Sequence, residues 1–468
     1  MKKLSRTISG VTPVAVMTRP ASCPGRCVYC PTFSITPQSY TPESPAVIRA
    51  RAADYDSRRQ VEVRLRTLSD MGHPVDKVEL IIMGGTFLAR SEDYQYDVIK
   101  DCYDALNGTA SVTLSASQEA NETAARRAVG LCLETRPDVC GEVEVRRMLD
   151  FGATRVELGV QILDDEIYQK VERGHTVAEV VRATRLLKRY GFKVYYHWMP
   201  GLPGSTPEHD LTLAEMLFDN PDFRPDGLKL YPTMVVEGSR LEEWYLAGSY
   251  IPYPDEVMLS LMADIKAVVP GYVRIARVLR DIPARFIIAG LRDSVREKLQ
   301  EYMAQRGQRC GCIRCREYGH RLKSGWEVGE PEIKRLDYDA SDGREVFLSY
   351  EDGQGTLFGL LRLRYEPEPP EVLGGRVRAL VRELHVFGLE LALGARQDGT
   401  AQHRGLGRQL LAEAERVARD DFGSPEIAVL SGVGARRYYA EQGYIFRAGY
   451  MVKNLAVRQF SGQLPAGE

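Results

Sequence analysis

Residues 23–30 read Cys-Pro-Gly-Arg-Cys-Val-Tyr-Cys, which sets Cys23, Cys27 and Cys30 in a C-x3-C-x2-C array on one short loop. Three thiolates on one loop can hold three irons of a cubane cluster and leave the fourth iron open to a small molecule. A zinc loop is the other reading, but tetrahedral zinc needs a fourth ligand, and no His or further Cys lies within about thirty residues on either side. A second triplet, Cys310, Cys312 and Cys315, is followed by His320. Three soft ligands with a nearby imidazole suit a structural zinc, His320 being the candidate fourth ligand. Three ordinary reduced cysteines and a second iron-sulfur cluster are the alternatives. A third constellation is Gln402-His-Arg-Gly405-Leu406-Gly407-Arg408, followed by Leu410, Leu411, Ala414 and Val417 at helical spacing. Glycines at a helix start let backbone N–H groups approach a diphosphate.

The elements that must position these groups follow from periodicity. Short β-branched or apolar runs at 14–17, 78–83, 128–133, 155–160, 193–198 and 227–230 read as six strands separated by helices, hence as parallel βαβ units. A long amphipathic helix covers about 46–71, with Val61, Leu65 and Leu68 on one face. Each strand is followed at once by groups capable of chemistry. The cysteines follow the first, Gly84-Gly85-Thr86 the second, Glu134 and Arg136 the third and Gln161 the fourth; His197 ends the fifth and Tyr231 follows the sixth. In a β/α barrel the ligand site lies at the carboxyl ends of the strands, so these groups are expected at one mouth. Singly, each has a bland reading as a satisfied core polar group or a structural ion pair. Six units imply an open partial barrel. From about 343 the texture turns antiparallel, with strands at 345–350, 356–363 and 377–386. The glycine turn, strand 426–430 and Ala435-Arg-Arg-Tyr438-Tyr439 come in the order of a Gcn5-related N-acetyltransferase fold, which binds the pyrophosphate of acetyl-CoA at that turn.

The chain has 468 residues and a formal charge of −2, which implies two or three soluble domains rather than one. The charge is unevenly spread. Arg49, Arg51, Arg58, Arg59 and Arg64 crowd one segment, and Arg274, Arg277, Arg280 and Arg285 form a second strip. Either could hold nucleic-acid phosphates or be a solvated face. No apolar segment follows Met1-Lys2-Lys3, and no apolar run reaches membrane-spanning length, so a cytoplasmic, reduced protein is expected.

The cysteine loop resembles that of the radical S-adenosylmethionine (SAM) enzymes. The whole chain, over about 10–455, resembles the catalytic subunits of the Elongator complex, a family of tRNA-uridine carboxymethylating enzymes. The resemblance is carried by Gln38-Ser-Tyr40, Met83-Gly-Gly-Thr-Phe87, Glu134-Thr-Arg-Pro-Asp138, Arg173-Gly-His-Thr176, Val381-Arg-Glu-Leu-His-Val386 and Ser431-Gly-Val-Gly434 among others. It implies an α/β architecture: a partial (β/α)6 radical SAM barrel at 1–290, a linker and zinc region at 291–340, and a Gcn5-related acetyltransferase domain at 341–468. It implies a 4Fe-4S cluster on Cys23, Cys27 and Cys30, with Gly84, Gly85, Thr86, Glu134, Arg136, Gln161 and His197 around SAM. Acetyl-CoA contacts are implied at Lys77, Glu383, Leu384, His385, Val386, Gln402, Gly405, Leu406, Gly407, Arg408 and Tyr439. Tyr438, Tyr439, His385 and Glu383 form the candidate catalytic set. The implied reaction joins a carbon of the acetyl group to C5 of the wobble uridine of tRNA after a SAM-derived radical has taken a hydrogen from it. Partners are then a tRNA anticodon stem-loop, acetyl-CoA and an electron donor, for a monomer or a homodimer. The alternative is a protein lysine acetyltransferase with a structural cluster domain, Glu383 or His385 serving as base. Eukaryotic relatives lack the Cys310/Cys312/Cys315 triplet, so its zinc rests on spacing alone.

Overall fold

Strand β1 (Thr12–Met17) runs straight into the cysteine loop and opens a curled, wholly parallel sheet. In the computed structural model, which describes residues 10–292, 295–387 and 405–455, β2 (Lys77–Met83), β3 (Arg127–Thr135), β4 (Arg155–Gln161), β5 (Lys193–Trp198) and β6 (Gly227–Leu230) follow in spatial order. The two-residue β7 (Val235–Val236) leaves this sheet and pairs with β9 (Ile287–Ala289), while β8 (Arg274–Val278) joins the edge beside β6. The barrel therefore has seven strands, one more than the periodicity implies. Ile275 and Val278, three apart, imitate helical spacing, but they pair with Leu228 and Leu230 as strand residues. The amphipathic stretch 46–71 is two helices, Pro45–Ala52 and Ser57–Asp70. Asp54 and Tyr55 both take left-handed φ, 52° and 55°, which breaks the helix. The Asp56 carboxylate then caps the second helix by accepting from the Arg59 backbone N–H at 2.7 Å.

The second sheet contains β10 (Glu332–Ala340), β11 (Gly343–Glu351), β12 (Leu357–Tyr365), β13 (Val377–Val386), β14 (Glu426–Val429), β15 (Ile445–Arg447) and β16 (Tyr450–Asn454), in the order β10-β11-β12-β13-β14-β16-β15. It begins at Glu332, inside the stretch read as linker. Only β13 and β14 are parallel; the other neighbours are antiparallel. The helix Leu406–Arg416 covers one face with Leu410, Leu411 and Ala414, packed with Val381 and Leu361.

The other face docks on the barrel at the amino-terminal ends of its strands, the rim opposite the cysteine loop. There β13 supplies Arg382 and Glu383 and β12 supplies Arg362. A bulge in the β12–β13 register turns Arg382 and Glu383, adjacent in sequence, toward the barrel together. Arg382 grips Asp226, just before β6, and Glu345 on β11; Arg362 donates to the Tyr272 carbonyl, just before β8; Lys193 at the start of β5 pairs with Glu383. Asp226 and Arg382 are both fully buried. Burial opposes the Asp226 charge, yet Arg382 and Arg362 outweigh it and hold the carboxyl far below its usual range. Backbones also meet closely here. A Cβ on Gly432 would stand 2.3 Å from the Val129 carbonyl oxygen, and one on Gly434 2.4 Å from Arg127 Cβ, so the Gly-Val-Gly segment is glycine because only glycine lets it lie on β3.

Candidate active sites at the two rims of the barrel

The carboxyl-terminal rim brings the expected groups together. Cys23, Cys27, Cys30, Gly85, Thr86, Glu134, Arg136, Gln161 and His197 line one pocket of about 1210 Å³, counting its open mouth. Gly84 lies behind it at φ 121°, where a Cβ would run into the Thr18 hydroxyl at 2.3 Å. Cys23 Sγ lies 3.6 Å from Thr86 Oγ1, Cys30 Sγ 3.5 Å from Ser39 Oγ, and the Arg173 guanidinium donates to Cys27 Sγ at 3.3 Å. The Cys27 thiol is held well below its usual range, first by the hydrogen bond with Cys30 and then, against burial, by Arg173. Among the described residues, two groups of three candidate metal ligands close to within 4.8 Å: Cys310/Cys312/Cys315 and Glu134/Glu157/His197. The three cysteines of the first loop stand outside both and border the same pocket, where they could each give one sulfur to one iron of a cluster.

Two buried atoms test whether a polar group fits here. Arg136 Nη1 and Gln161 Oε1 have no hydrogen-bond partner among the described residues. Arg136 is otherwise locked, donating to Asp138 at 2.9 Å and to the Arg173 carbonyl at 2.8 Å, so its spare nitrogen is aimed beside Gly25 of the cysteine loop. Gln161 holds a left-handed φ of 73°, a cost that buys its placement at the end of β4. The spare donor and the spare acceptor fit a small polar molecule that offers an acceptor to Arg136 and a donor to Gln161.

Below the mouth the barrel interior is ionic rather than aliphatic. Lys229 pairs with Glu157 and, at 2.9 Å, with Glu134; Glu157 accepts from His197 at 3.0 Å; Arg155 reaches Glu79 at 2.6 Å and Cys132 Sγ at 3.2 Å; and the Tyr40 hydroxyl donates to Glu134 at 3.3 Å. Burial disfavours both charges of the Lys229–Glu157 pair, but Glu134 and Glu157 keep the ammonium protonated and Lys229 keeps the Glu157 carboxyl well below its usual range. The Glu134/Glu157/His197 triad thus already contains a cation, the lysine. Sequence reasoning missed Glu157, Lys229, Arg155 and the role of Arg173. Inward-facing charges at alternate strand positions are the signal that would have found them.

The second sheet presents a second candidate site. β13 and β14 pair through Val381 and Val429 and then part, so Glu383–Val386 bond to β12 on one edge, and no described strand pairs with the other edge of Glu383–His385. At this split the helix Leu406–Arg416 begins, with Gly405 at φ 71°. A Cβ on Gly407 would stand 3.2 Å from the Tyr438 hydroxyl and 3.5 Å from Val386, so backbone N–H groups, Tyr438 and this end of β13 converge. Leu406 packs against Phe358 and Val386, Leu384 lies over the core, and Arg408 heads the helix. Gln402 lies outside the described residues. Tyr439 is a core side chain packed on Tyr438 and Tyr444, so of the two tyrosines Tyr438 is the one at the helix start. Lys77 begins β2, in register with Arg127, which places it on the docking rim. Glu383 is not a free base. Its oxygens meet Lys193 at 3.4 Å and Arg362 at 2.8 Å, which against burial hold its carboxyl down at about 2. The lysine-acetyltransferase alternative loses that residue.

The second triplet closes to a single-ion geometry, but His320 is not part of it; its Nε2 pairs with Glu317 at 3.5 Å. The buried Lys266 ammonium lies 4.0 Å from Cys315 Sγ. The arginines expected to meet RNA divide. Arg49, Arg51, Arg58, Arg59 and Arg64 lie on the outer helices, Arg58 paired with Glu62 and Arg59 with Asp54. The second strip is not one face. Arg274 is consumed by Glu317 in the seam, Arg277 and Arg280 line the cysteine pocket with Arg280 bonded to Ser39 Oγ at 3.0 Å, and Arg285 points outward to Glu43.

Comparison with known proteins agrees with this architecture. The radical SAM superfamily model matches residues 18–217 and that of the radical SAM C-terminal domain residues 225–305. The chain is 64% identical to a tRNA uridine(34) acetyltransferase of Dehalococcoides mccartyi, over 97% of this chain and 100% of that one. It is 42% identical to human Elongator complex protein 3, over 96% and 85%. The solved structure of archaeal Methanocaldococcus infernus Elp3 with an N-terminal deletion superposes with a TM-score of 0.86 at 43% identity, over 96% of this chain and 100% of that one. With both rims built as described and this identity along its whole length, the chain belongs to the family of the tRNA uridine(34) acetyltransferases and Elongator complex protein 3, radical SAM enzymes with an acetyltransferase sheet.

Proposed function

We propose that the protein carboxymethylates C5 of the wobble uridine, U34, of tRNA, using acetyl-CoA and SAM. The observation that carries this reading is the joining, through one buried seam, of a three-cysteine pocket with orphaned polar atoms and a split strand pair beside a glycine-led helix. Cys23, Cys27 and Cys30 would hold the 4Fe-4S cluster, with Arg173 stabilising the Cys27 thiolate. Gly84, Gly85, Thr86, Glu134, Arg136, Gln161 and His197 would receive SAM, Arg136 Nη1 and Gln161 Oε1 finding their partners there. Cluster and SAM together supply a 5'-deoxyadenosyl radical able to take hydrogen from a methyl group. Gly405, Leu406, Gly407 and Arg408 would hold the acetyl-CoA diphosphate, and the β13 segment Glu383–Val386 its amide arm, with Lys77 on the docking rim. Arg49, Arg51, Arg58, Arg59, Arg64 and Arg285 would meet the phosphates of the anticodon stem-loop, whose unpaired bases need no extraction from a duplex. Cys310, Cys312 and Cys315 would give a zinc three of its four ligands, and with His320 turned to Glu317 the fourth would come from outside the triplet, as from a water. An external electron donor completes the set.

The test is mass analysis of tRNA nucleosides after anaerobic incubation with acetyl-CoA, SAM and reductant, using acetyl-CoA deuterated at its methyl. Carboxymethyluridine at position 34 together with deuterium in the released 5'-deoxyadenosine is the expected result. Carboxymethyl product with unlabelled 5'-deoxyadenosine would show that the hydrogen comes from elsewhere. Acetylated protein lysines with no nucleoside product would favour the alternative.

A further inference from the structure

The candidate reaction has a hydrolytic step: the thioester must give a carboxylate and free CoA. Water oxygen bonds to the carbonyl carbon, the carbon–sulfur bond breaks, and the sulfur leaves as a thiolate that takes up the proton lost by water. No electron is gained or lost, but a group must hold that proton in transit. The residues at the split of β13 and β14 narrow the choice. Glu383 has both oxygens on Lys193 and Arg362. Tyr438 is a phenol whose pKa burial raises, a poor base. Val386 faces Leu406 and the helix. His385, one residue earlier and therefore on the other face of the strand, turns toward the barrel.

We propose that His385 is the general base of thioester hydrolysis, the residue that accepts the proton of the attacking water. The inference rests on the reading that acetyl-CoA lies along β13 beyond its split from β14. His385 Nε2 is buried and has no hydrogen-bond partner among the described residues, the only such side-chain atom on the β13 segment Glu383–Val386. The Phe387 ring, 4.4 Å away centroid to centroid, supports the imidazole from one side. The charged groups facing it come from four elements: Glu383 on its own strand, Lys193 on β5, Arg274 on β8, and Glu317 in the segment joining the domains. Burial is the largest influence and disfavours the imidazolium; the two carboxylates oppose it, and Arg274 and Lys193 reinforce it. The ring is therefore neutral at neutral pH, with a lone pair available in a site otherwise filled by committed ion pairs. The strand split gives the acyl end a way through the sheet, from the helix start on one face to His385 on the other.

The experiment compares wild type with His385→Gln in the complete reaction, reading three quantities separately: CoA thiol release, 5'-deoxyadenosine formation, and equilibrium binding of acetyl-CoA. The expected result is acetyl-CoA binding within about twofold of wild type, and CoA release lowered by roughly 100-fold or more through kcat rather than KM. The wild-type rate should also fall on the acid side of neutrality, a limb absent from the residual activity of the variant. A His385→Gln protein that binds acetyl-CoA and releases CoA at the wild-type rate, with the acid limb intact, would overturn the assignment. Wild-type protein that fails to bind acetyl-CoA, or binds it equally well as Gly407→Glu, would overturn the cofactor reading and the base with it.

Discussion

Arg382 closes two guanidinium nitrogens on the two oxygens of Asp226, at 2.8 and 2.7 Å, across the seam between the sheets. Both residues are fully buried, and Arg362 and Glu345 extend the pair into a network. Such a network adds little over an apolar seam, but losing one member leaves an uncompensated buried charge. Asp226→Asn should therefore cost about 3–5 kcal/mol of stability, read as a lower unfolding midpoint in denaturant. A midpoint unchanged from wild type would mean that the seam does not depend on this charge.

The same seam sets an acid dependence. Asp226, Glu345 and Glu383 all have carboxyl pKa values depressed on folding, Glu383 to about 2. Their contribution is fully present above the unfolded values of about 4 and is lost as pH falls through the folded ones. Thermal unfolding followed from pH 5 downward should show Tm falling steeply toward pH 2, and less steeply in Asp226→Asn. Parallel curves for the two proteins would refute the linkage.

Replacing any one of Cys23, Cys27 or Cys30 by Ala should remove the brown iron-sulfur absorbance and the nucleoside product. Acetyl-CoA binding should survive, because the proposed acyl site lies on the second sheet, which docks on the other rim. Retained uridine modification in the triple variant would contradict the radical reading.

The second triplet should hold stoichiometric zinc in protein purified without chelator. Cys312→Ala should lose it and unfold at lower temperature, whereas His320→Ala, whose ring is turned to Glu317, should keep it. Iron in place of zinc, or zinc lost from His320→Ala, would reverse this assignment.

Neutralising Arg58, Arg59 and Arg64 together should weaken tRNA binding and flatten its salt dependence, by roughly 0.7–0.9 in log–log slope for each phosphate contact removed. Arg58 and Arg59 sit in exposed ion pairs that cost little to open. An unchanged slope would return this helix to a solvated face.

What could be read from the sequence was whatever sits at the end of a period. Cys23, Cys27 and Cys30, Gly85, Glu134 and Gln161 each follow an apolar run directly, so their meeting in one pocket needed only the direction of the strands. Arg274 misled because proximity in sequence groups it with Arg277, Arg280 and Arg285, whereas the start of β8 turns it into the seam onto Glu317. Glu157 and Lys229 were hidden for a different reason: a charge inside a strand looks like a solvent-facing residue until the sheet curls around it. The break at Asp54 and Tyr55 depends on left-handed backbone at two residues that are neither glycine nor proline, which composition does not signal. Glu383 and His385 enter together by resemblance, and only the partners of Glu383 across the seam separate the committed carboxylate from the imidazole.

The placement of the two sites on opposite rims has a kinetic meaning. A strand such as Lys193–Trp198 spans roughly 20 Å at about 3.3 Å per residue, and the Glu79–Arg155–Glu157–Lys229 chain of ion pairs lines the interior between its ends. Neither ligand then blocks the entrance used by the other. Loading should be order-independent, initial-rate plots for SAM against acetyl-CoA should intersect rather than run parallel, and neither saturating co-substrate should raise the apparent KM of its partner by competition.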